Sequence, residues 1–162
     1  MRFLENLKLF IGIGMEYPMN KETAQEVETI IRSEGAIPAT IAIIKGRIKI
    51  GLSELELEFV SKNGKEFKKC SRRDLASVLI QGKNGSTTVA ATMFLANLAG
   101  LKIFVTGGIG GVHRGAESTF DISADLTELG RTPIAVISAG AKVLLTYFCE
   151  LWGGGGVICS EL

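Results

Sequence analysis

Two short apolar runs, each ending in small residues, constrain this chain more than any other feature. Residues 101–105 are followed at once by Thr106-Gly107-Gly108-Ile109-Gly110-Gly111, and residues 134–137 by Ser138-Ala139-Gly140-Ala141-Lys142. Between them, residues 125–129 have the pattern of a short helix. Strand, helix and strand in close succession predict a parallel pair with a right-handed crossover, because a twisted strand feeding a right-handed helix packs back onto its sheet only that way. In such sheets ligands settle beyond the carboxyl ends of the strands. Both small-residue segments are expected at those ends, so they mark where a site would form.

The chain ahead of this unit also reads as mixed α and β. Asn20 is read as an N-cap, Ala24, Val27, Ile30 and Ile31 share one helical face, and Gly35 stops the helix. Residues 37–44 are nearly all apolar, as a strand covered on both faces would be. Lys45-Gly46-Arg47 turns it into Ile48-Lys49-Ile50, which alternates as an exposed strand does. Ser53 with Glu56 and Ser71 with Asp74 make two capping boxes. The second heads a helix whose Leu75, Val78 and Leu79 point inward. Ser86 or Thr87 opens a third helix through Leu98. Trp152-Gly153-Gly154-Gly155-Gly156 fits neither helix nor strand, and residues 157–162 are too short to build much. The expected fold is therefore α/β, a parallel or mixed sheet flanked by helices. Residues 1–162 form a single domain, with 146–162 as a divergent tail.

Composition narrows the function classes. With 46% hydrophobic and 22% charged residues the chain of 162 residues is globular rather than disordered. Its net charge of +1 is too balanced for a general nucleic-acid binder. Residues 1–14 are apolar but broken by Arg2, Glu5 and Lys8, which reads as a buried strand rather than a targeting peptide, and no run reaches the ~18 apolar residues of a membrane span. Cys70, Cys149 and Cys159 have no metal-like spacing and read as reduced thiols. The expected location is the cytoplasm, with an organelle left open.

Several residues suit chemistry. Lys142 follows a strand and a small-residue turn, so it is either an amine in the ligand region, able to attack a sugar or carbonyl carbon when desolvated, or a surface lysine in the first turn of a helix. Asp121 and Asp125 stand four apart and either suit a hard divalent cation or are ordinary helix N-terminal acids. The glycine run with His113 and Arg114 could cradle an anion, although a lone histidine is more often structural. Lys68, Lys69, Arg72 and Arg73 form a basic cluster, either a solvated face or a phosphate contact. Gly82-Lys83-Asn84-Gly85-Ser86-Thr87 lacks the first glycine of a phosphate loop, and His113 stands where a dinucleotide fingerprint needs its last glycine. Both an NTPase and a nicotinamide enzyme are rejected.

Taken together, Ser71-Arg72-Arg73-Asp74-Leu75, Gly82-Lys83-Asn84-Gly85, TGGIGGVHRG at 106–115, TFDISADL at 119–126 and Ala139-Gly140-Ala141-Lys142 occur in order. This set resembles the pseudouridine-5′-phosphate glycosidases, also called the indigoidine-synthesis A-type family. The resemblance begins near Met15 and runs to about Leu145. It implies reversible cleavage of the carbon–carbon bond between uracil and ribose 5-phosphate, through a lysine Schiff base and with Mn2+. Carried over by motif, Lys142 is that catalytic lysine and Asp121 the metal ligand. Lys69, Val89, Ser123, Ala124 and Asp125 match substrate positions. The implied partners are pseudouridine 5′-phosphate, ribose 5-phosphate and uracil, with no nucleic-acid polymer and no membrane, and with room for a homo-oligomer. Two departures accompany the resemblance. Leu7 falls at the family's general-acid glutamate and Ile13 at its histidine, with Glu5 two residues off. Family chains also continue well beyond Lys142, so this one reads as truncated, with an incomplete version of the family's α/β/α fold. The alternative readings are an impaired product that binds sugar phosphate or partner subunits, and another lysine Schiff-base lyase acting on a sugar phosphate.

Overall fold

The computed structural model describes residues 3–5, 15–113, 115–142 and 157–159. The strands are β1 (Phe3–Glu5), β2 (Ile41–Ile44), β3 (Arg47–Ile50), β4 (Lys68–Cys70), β5 (Gly85–Thr87), β6 (Ile103–Gly110), β7 (Ala135–Lys142) and β8 (Val157–Cys159). The helices are α1 (Met19–Ser33), α2 (Glu54–Asn63), α3 (Leu75–Ile80), α4 (Val89–Leu98), α5 (Ala116–Thr119) and α6 (Ala124–Leu129). The expected α/β architecture is present, but its strands divide into two sheets. One is wholly parallel, in the order β1-β6-β7-β8; the other is mixed, in the order β3-β2-β5-β4.

Strand alternation explains how two sheets share a core. Ile41 and Ile43 of β2 point to one side and join a cluster with Phe104 of β6, Val136 of β7 and Met93 and Leu95 of α4. Ala42, between them, points to the other side and packs with Ala24, Leu57, Val60 and Phe67. The run at 41–44 is thus covered on both faces, as expected. α4 is buried nearly all round, and its Ala90, Ala91 and Ala96 let it lie close to both sheets.

Local signals are read out closely. Lys45 and Gly46 both have positive φ, 49° and 68°, and bring Ile44 opposite Arg47 in a two-residue hairpin turn. A Cβ on Gly46 would lie 2.6 Å from the Leu79 carbonyl oxygen and 2.7 Å from Gly82 Cα. The same turn takes up the Gly82-Lys83-Asn84-Gly85 motif: Lys45 N donates to Asn84 Oδ1 (2.7 Å) and Gly46 N to the Lys83 carbonyl (2.9 Å). Both capping boxes form, at Ser53/Glu56 ahead of α2 and at Ser71/Asp74 ahead of the 3-10 turn leading into α3.

Other expectations are corrected. Asn20 does not cap α1. It lies inside the helix, buried, and its Nδ2 donates to the Ser61 carbonyl of α2 at 2.9 Å. Ile30 is exposed, because at 100° per residue it sits about 120° around α1 from Ala24, off the buried stripe. The strand expected at 37–44 begins only at Ile41: Pro38 has no N–H for a ladder, and Ile37 is exposed. The helix expected from Ser86 or Thr87 starts later, since residues 85–87 are spent on β5, and Thr88 is its N-cap, accepting from Ala91 N. The tail builds more than expected, because β8 adds a parallel strand beside β7.

Candidate functional site

β6 and β7 run through their small-residue segments instead of ending before them. Gly108 pairs with Gly140, Ile109 with Ala141 and Gly110 with Lys142. The glycine run is therefore strand and not a loop, and Thr106 lies within β6 rather than at its end. Lys142 is the last residue of β7, opposite the last residue of β6, and not in the first turn of a helix. This is the carboxyl edge of a parallel sheet, where the sequence placed the site.

The chain then folds back over that edge. Val112 and Ile122 form an antiparallel bridge. Ser123 N donates to the Gly111 carbonyl at 3.0 Å, and His113 N to the Asp121 carbonyl at 3.1 Å. Residues 121–123 are thereby laid along 111–113. Ser123 caps α6, its Oγ accepting from Asp125 N at 3.2 Å. The fit to the strand end is close: a Cβ on Gly110 would stand 2.0 Å from Ser123 Oγ. Only a glycine leaves room for this segment.

The two aspartates have different surroundings and do not share a helix, since α6 begins at Ala124. Asp125 is buried, and its carboxylate accepts from Ala90 N through Oδ1 and from Gly110 N through Oδ2, both at 2.9 Å. Asp121 has a side chain 66% exposed, with Oδ2 4.0 Å from His113 Nδ1. Among the described residues no group of three or more His, Cys, Asp or Glu side chains is placed to hold a metal. Asp121 offers an accessible carboxylate at this edge, a donor that fits a hard divalent cation completed by water or substrate oxygens.

The remaining expected residues lie on several elements. Val89 is the first residue of α4 and is buried, main chain and side chain together, with 1% of the residue exposed. Ala124 is the first residue of α6. Lys69 is exposed on β4, across from Ser86 of β5, two residues ahead of the α4 N-cap. The basic cluster divides. Arg72 pairs with buried Glu128 of α6 at 2.6 Å and lies over the Phe94 ring at 4.3 Å, while Thr132 Oγ1 donates to the same carboxylate. Lys68 stands 4.0 Å from Asp74, and Lys69 and Arg73 are exposed. Glu5 is the last residue of β1, paired with Val105. Leu7, Ile13 and Arg114 lie outside the described residues. Sequence reasoning missed the Asp125 bonds and the Arg72–Glu128 pair. Their partners are 35 and 15 residues away for Asp125 and 56 for Arg72, and no local pattern signals them.

Residues 8–148 match the model of the family described as indigoidine synthase A like protein. The chain belongs to this family. It is 64% identical over 135 residues to a pseudouridine-5′-phosphate glycosidase of Caldanaerobacter subterraneus subsp. tengcongensis, an alignment covering 83% of this chain and 44% of that one. Among solved structures it matches an indigoidine synthase A-like protein from Thermotoga maritima with TM-score 0.78 and 36% identity, covering 86% of this chain and 46% of the other. It matches the prealnumycin C-glycosynthase AlnA, solved in complex with ribulose 5-phosphate, with TM-score 0.78 and 39% identity, covering 89% and 46%. The chain thus spans a little under half the length of these relatives, and the family match at 8–148 includes Lys69, Val89, residues 121–125 and Lys142.

Proposed function

We propose that this chain handles the ribose of pseudouridine 5′-phosphate, as part of a glycosidase that reversibly cleaves its carbon–carbon glycosidic bond. The observation that carries this reading is the placement of Lys142 at the carboxyl edge of the parallel sheet, opposite Gly110, over which Ser123 and Asp125 fold. The names of the 64% identical relative and of the solved relative holding ribulose 5-phosphate support it.

In this reading the neutral Lys142 amine adds to the sugar carbon that bears uracil, and the ring oxygen leaves. The bond to uracil then breaks, a proton goes to the departing carbon, and water hydrolyses the imine to ribose 5-phosphate and free lysine. The exposed amine of Lys69 suits the substrate phosphate, and the main chain of exposed Ala124 its hydroxyls; Val89 and Ser123 are substrate positions that the family resemblance implies. Asp121 would hold Mn2+, which supplies charge neutralisation for sugar or phosphate oxygens. The working partners are small molecules in the cytoplasm, with the chain self-associating as a homo-oligomer. No helix among the described residues is long and apolar enough to cross a membrane.

Borohydride added with ribose 5-phosphate and Mn2+ should fix a ribityl phosphate mass on Lys142, and Lys142→Arg should abolish it. Trapping spread over surface lysines, or none at Lys142, defeats the proposal. Asp121→Ala should weaken Mn2+ binding in calorimetry by at least about tenfold, the loss of one charged ligand, or about 1.4 kcal/mol. Unchanged binding removes Asp121 from the metal site. A second reading, a chain that binds sugar phosphate or partner subunits but turns over poorly, is favoured by Leu7 at the family's general-acid position.

A further inference from the structure

Asp125 would be expected to contact substrate, yet both of its carboxylate oxygens accept from main-chain amides of other elements. Oδ1 takes Ala90 N, at the second residue of α4, and Oδ2 takes Gly110 N, at the last residue of β6, both at 2.9 Å. The first amides of a helix have no intrahelical acceptor. Thr88 serves Ala91 N at 3.4 Å, and Asp125 serves Ala90 N. A negative charge at that end is further favoured by the helix dipole. A single buried side chain therefore joins the N-terminus of α4, the end of β6 and the start of α6. Gly110 pairs directly with Lys142, and Ser123, two residues before Asp125, bonds back to Gly111.

We propose that Asp125 is a positioning residue for the reaction: it sets the carboxyl edge of the sheet, with Lys142 and the Asp121 segment, against α4, and does so without touching substrate. This rests on the reading of Lys142 as the imine-forming amine. A shift of about 1 Å at a reacting group can lower a rate ~10²-fold, so a side chain that fixes this edge acts on the rate of imine formation. A side chain that bound the sugar would act chiefly on the concentration of sugar phosphate required.

The test compares Asp125→Asn with the unsubstituted chain. Asparagine keeps the size but can accept from only one of the two amides and turns an N–H toward the other. Two measurements are made. The first is the rate of borohydride trapping at Lys142 against ribose 5-phosphate concentration. The second, made without ligand, is amide exchange at Ala90 and Gly110. The expected result is a maximal trapping rate reduced about 10- to 100-fold, a half-saturating concentration changed less than about threefold, and faster exchange at both amides. A raised half-saturating concentration with an unchanged maximal rate would make Asp125 a substrate contact and overturn the proposal, as would unchanged exchange. Should Asp125→Asn fail to fold, Gly110→Ala keeps the carboxylate but forces Ser123 off the strand end. The same loss of rate is expected there, and a normal rate overturns the proposal. An unsubstituted chain that traps no sugar defeats the imine reading instead, and the exchange measurement then decides the clamp alone.

Discussion

Thr106 and Ser138 stand opposite each other on β6 and β7, both buried, and among the described residues neither hydroxyl has a hydrogen-bond partner. An unsatisfied buried hydroxyl carries the full loss of its hydration, so Thr106→Val should raise stability by about 1 kcal/mol. The measurement is a higher urea midpoint at unchanged slope; a lower midpoint would show that the hydroxyl is satisfied in solution. Individual residues were legible where their chemistry is local. Lys142 stands out because a strand and a run of small residues precede it, and it does lie on β7, opposite Gly110 at the end of β6. Asp125 looked like a companion to Asp121 because sequence shows only their spacing. Its carboxylate is instead committed to amides contributed by residues 90 and 110, and proximity of that kind exists only after folding.

Several elements whose instructions lie within a few residues are legible in the sequence, although the Asn20 cap is not one of them. The Lys45-Gly46 turn and both capping boxes are examples. Elements whose limits depend on a distant neighbour were misjudged. β5 exists because β4 and β2 flank it, and this pushed the start of α4 to Val89. The capping box of α2 makes a testable statement about pH. Lys49 bonds Glu56 at 2.7 Å and Ser53 N donates to it, so the Glu56 carboxyl is held below its usual 4.5, with Lys49 as the larger cause. A carboxyl lowered by folding stabilises the fold above 4.5, and that contribution disappears as pH falls through the lowered value. Glu56→Gln should therefore lose stability at pH 7 yet lie closer to the parent at pH 3. A gap that stays constant with pH would show that the charge is irrelevant. Ser53→Ala should cost about 1 kcal/mol through loss of the cap, read as a lower melting temperature.

At the scale of the whole molecule, the α/β class and the parallel pair were visible in periodicity, but the division into two sheets was not. That division depends on which face of β2 meets α4, and it is decided by packing across strands far apart in sequence. On the glycosidase reading proposed above, turnover depends on a proton delivered to the departing base. General acid catalysis typically contributes ~10²–10⁴-fold, and leucine at position 7 cannot supply it. Uracil release from pseudouridine 5′-phosphate should fall at least about 100-fold below a relative with glutamate there, while imine trapping at Lys142 survives. Leu7→Glu should recover part of the difference, and parent rates equal to the relative's would show that the proton comes from elsewhere. The parallel sheet also implies an order of assembly. Ile103 pairs with Ala135, 32 residues on, but Phe3 pairs with Ile103 across 100 residues. Closing the longer loop costs about 1 kcal/mol more in chain entropy, and distant pairings form late. β1 should therefore be the last of these strands to dock, leaving one edge of β6 open while the rest of the sheet is already protected. Pulsed hydrogen exchange during refolding would register this as late protection at residues 3–5, and simultaneous protection of β1 and β7 would contradict it.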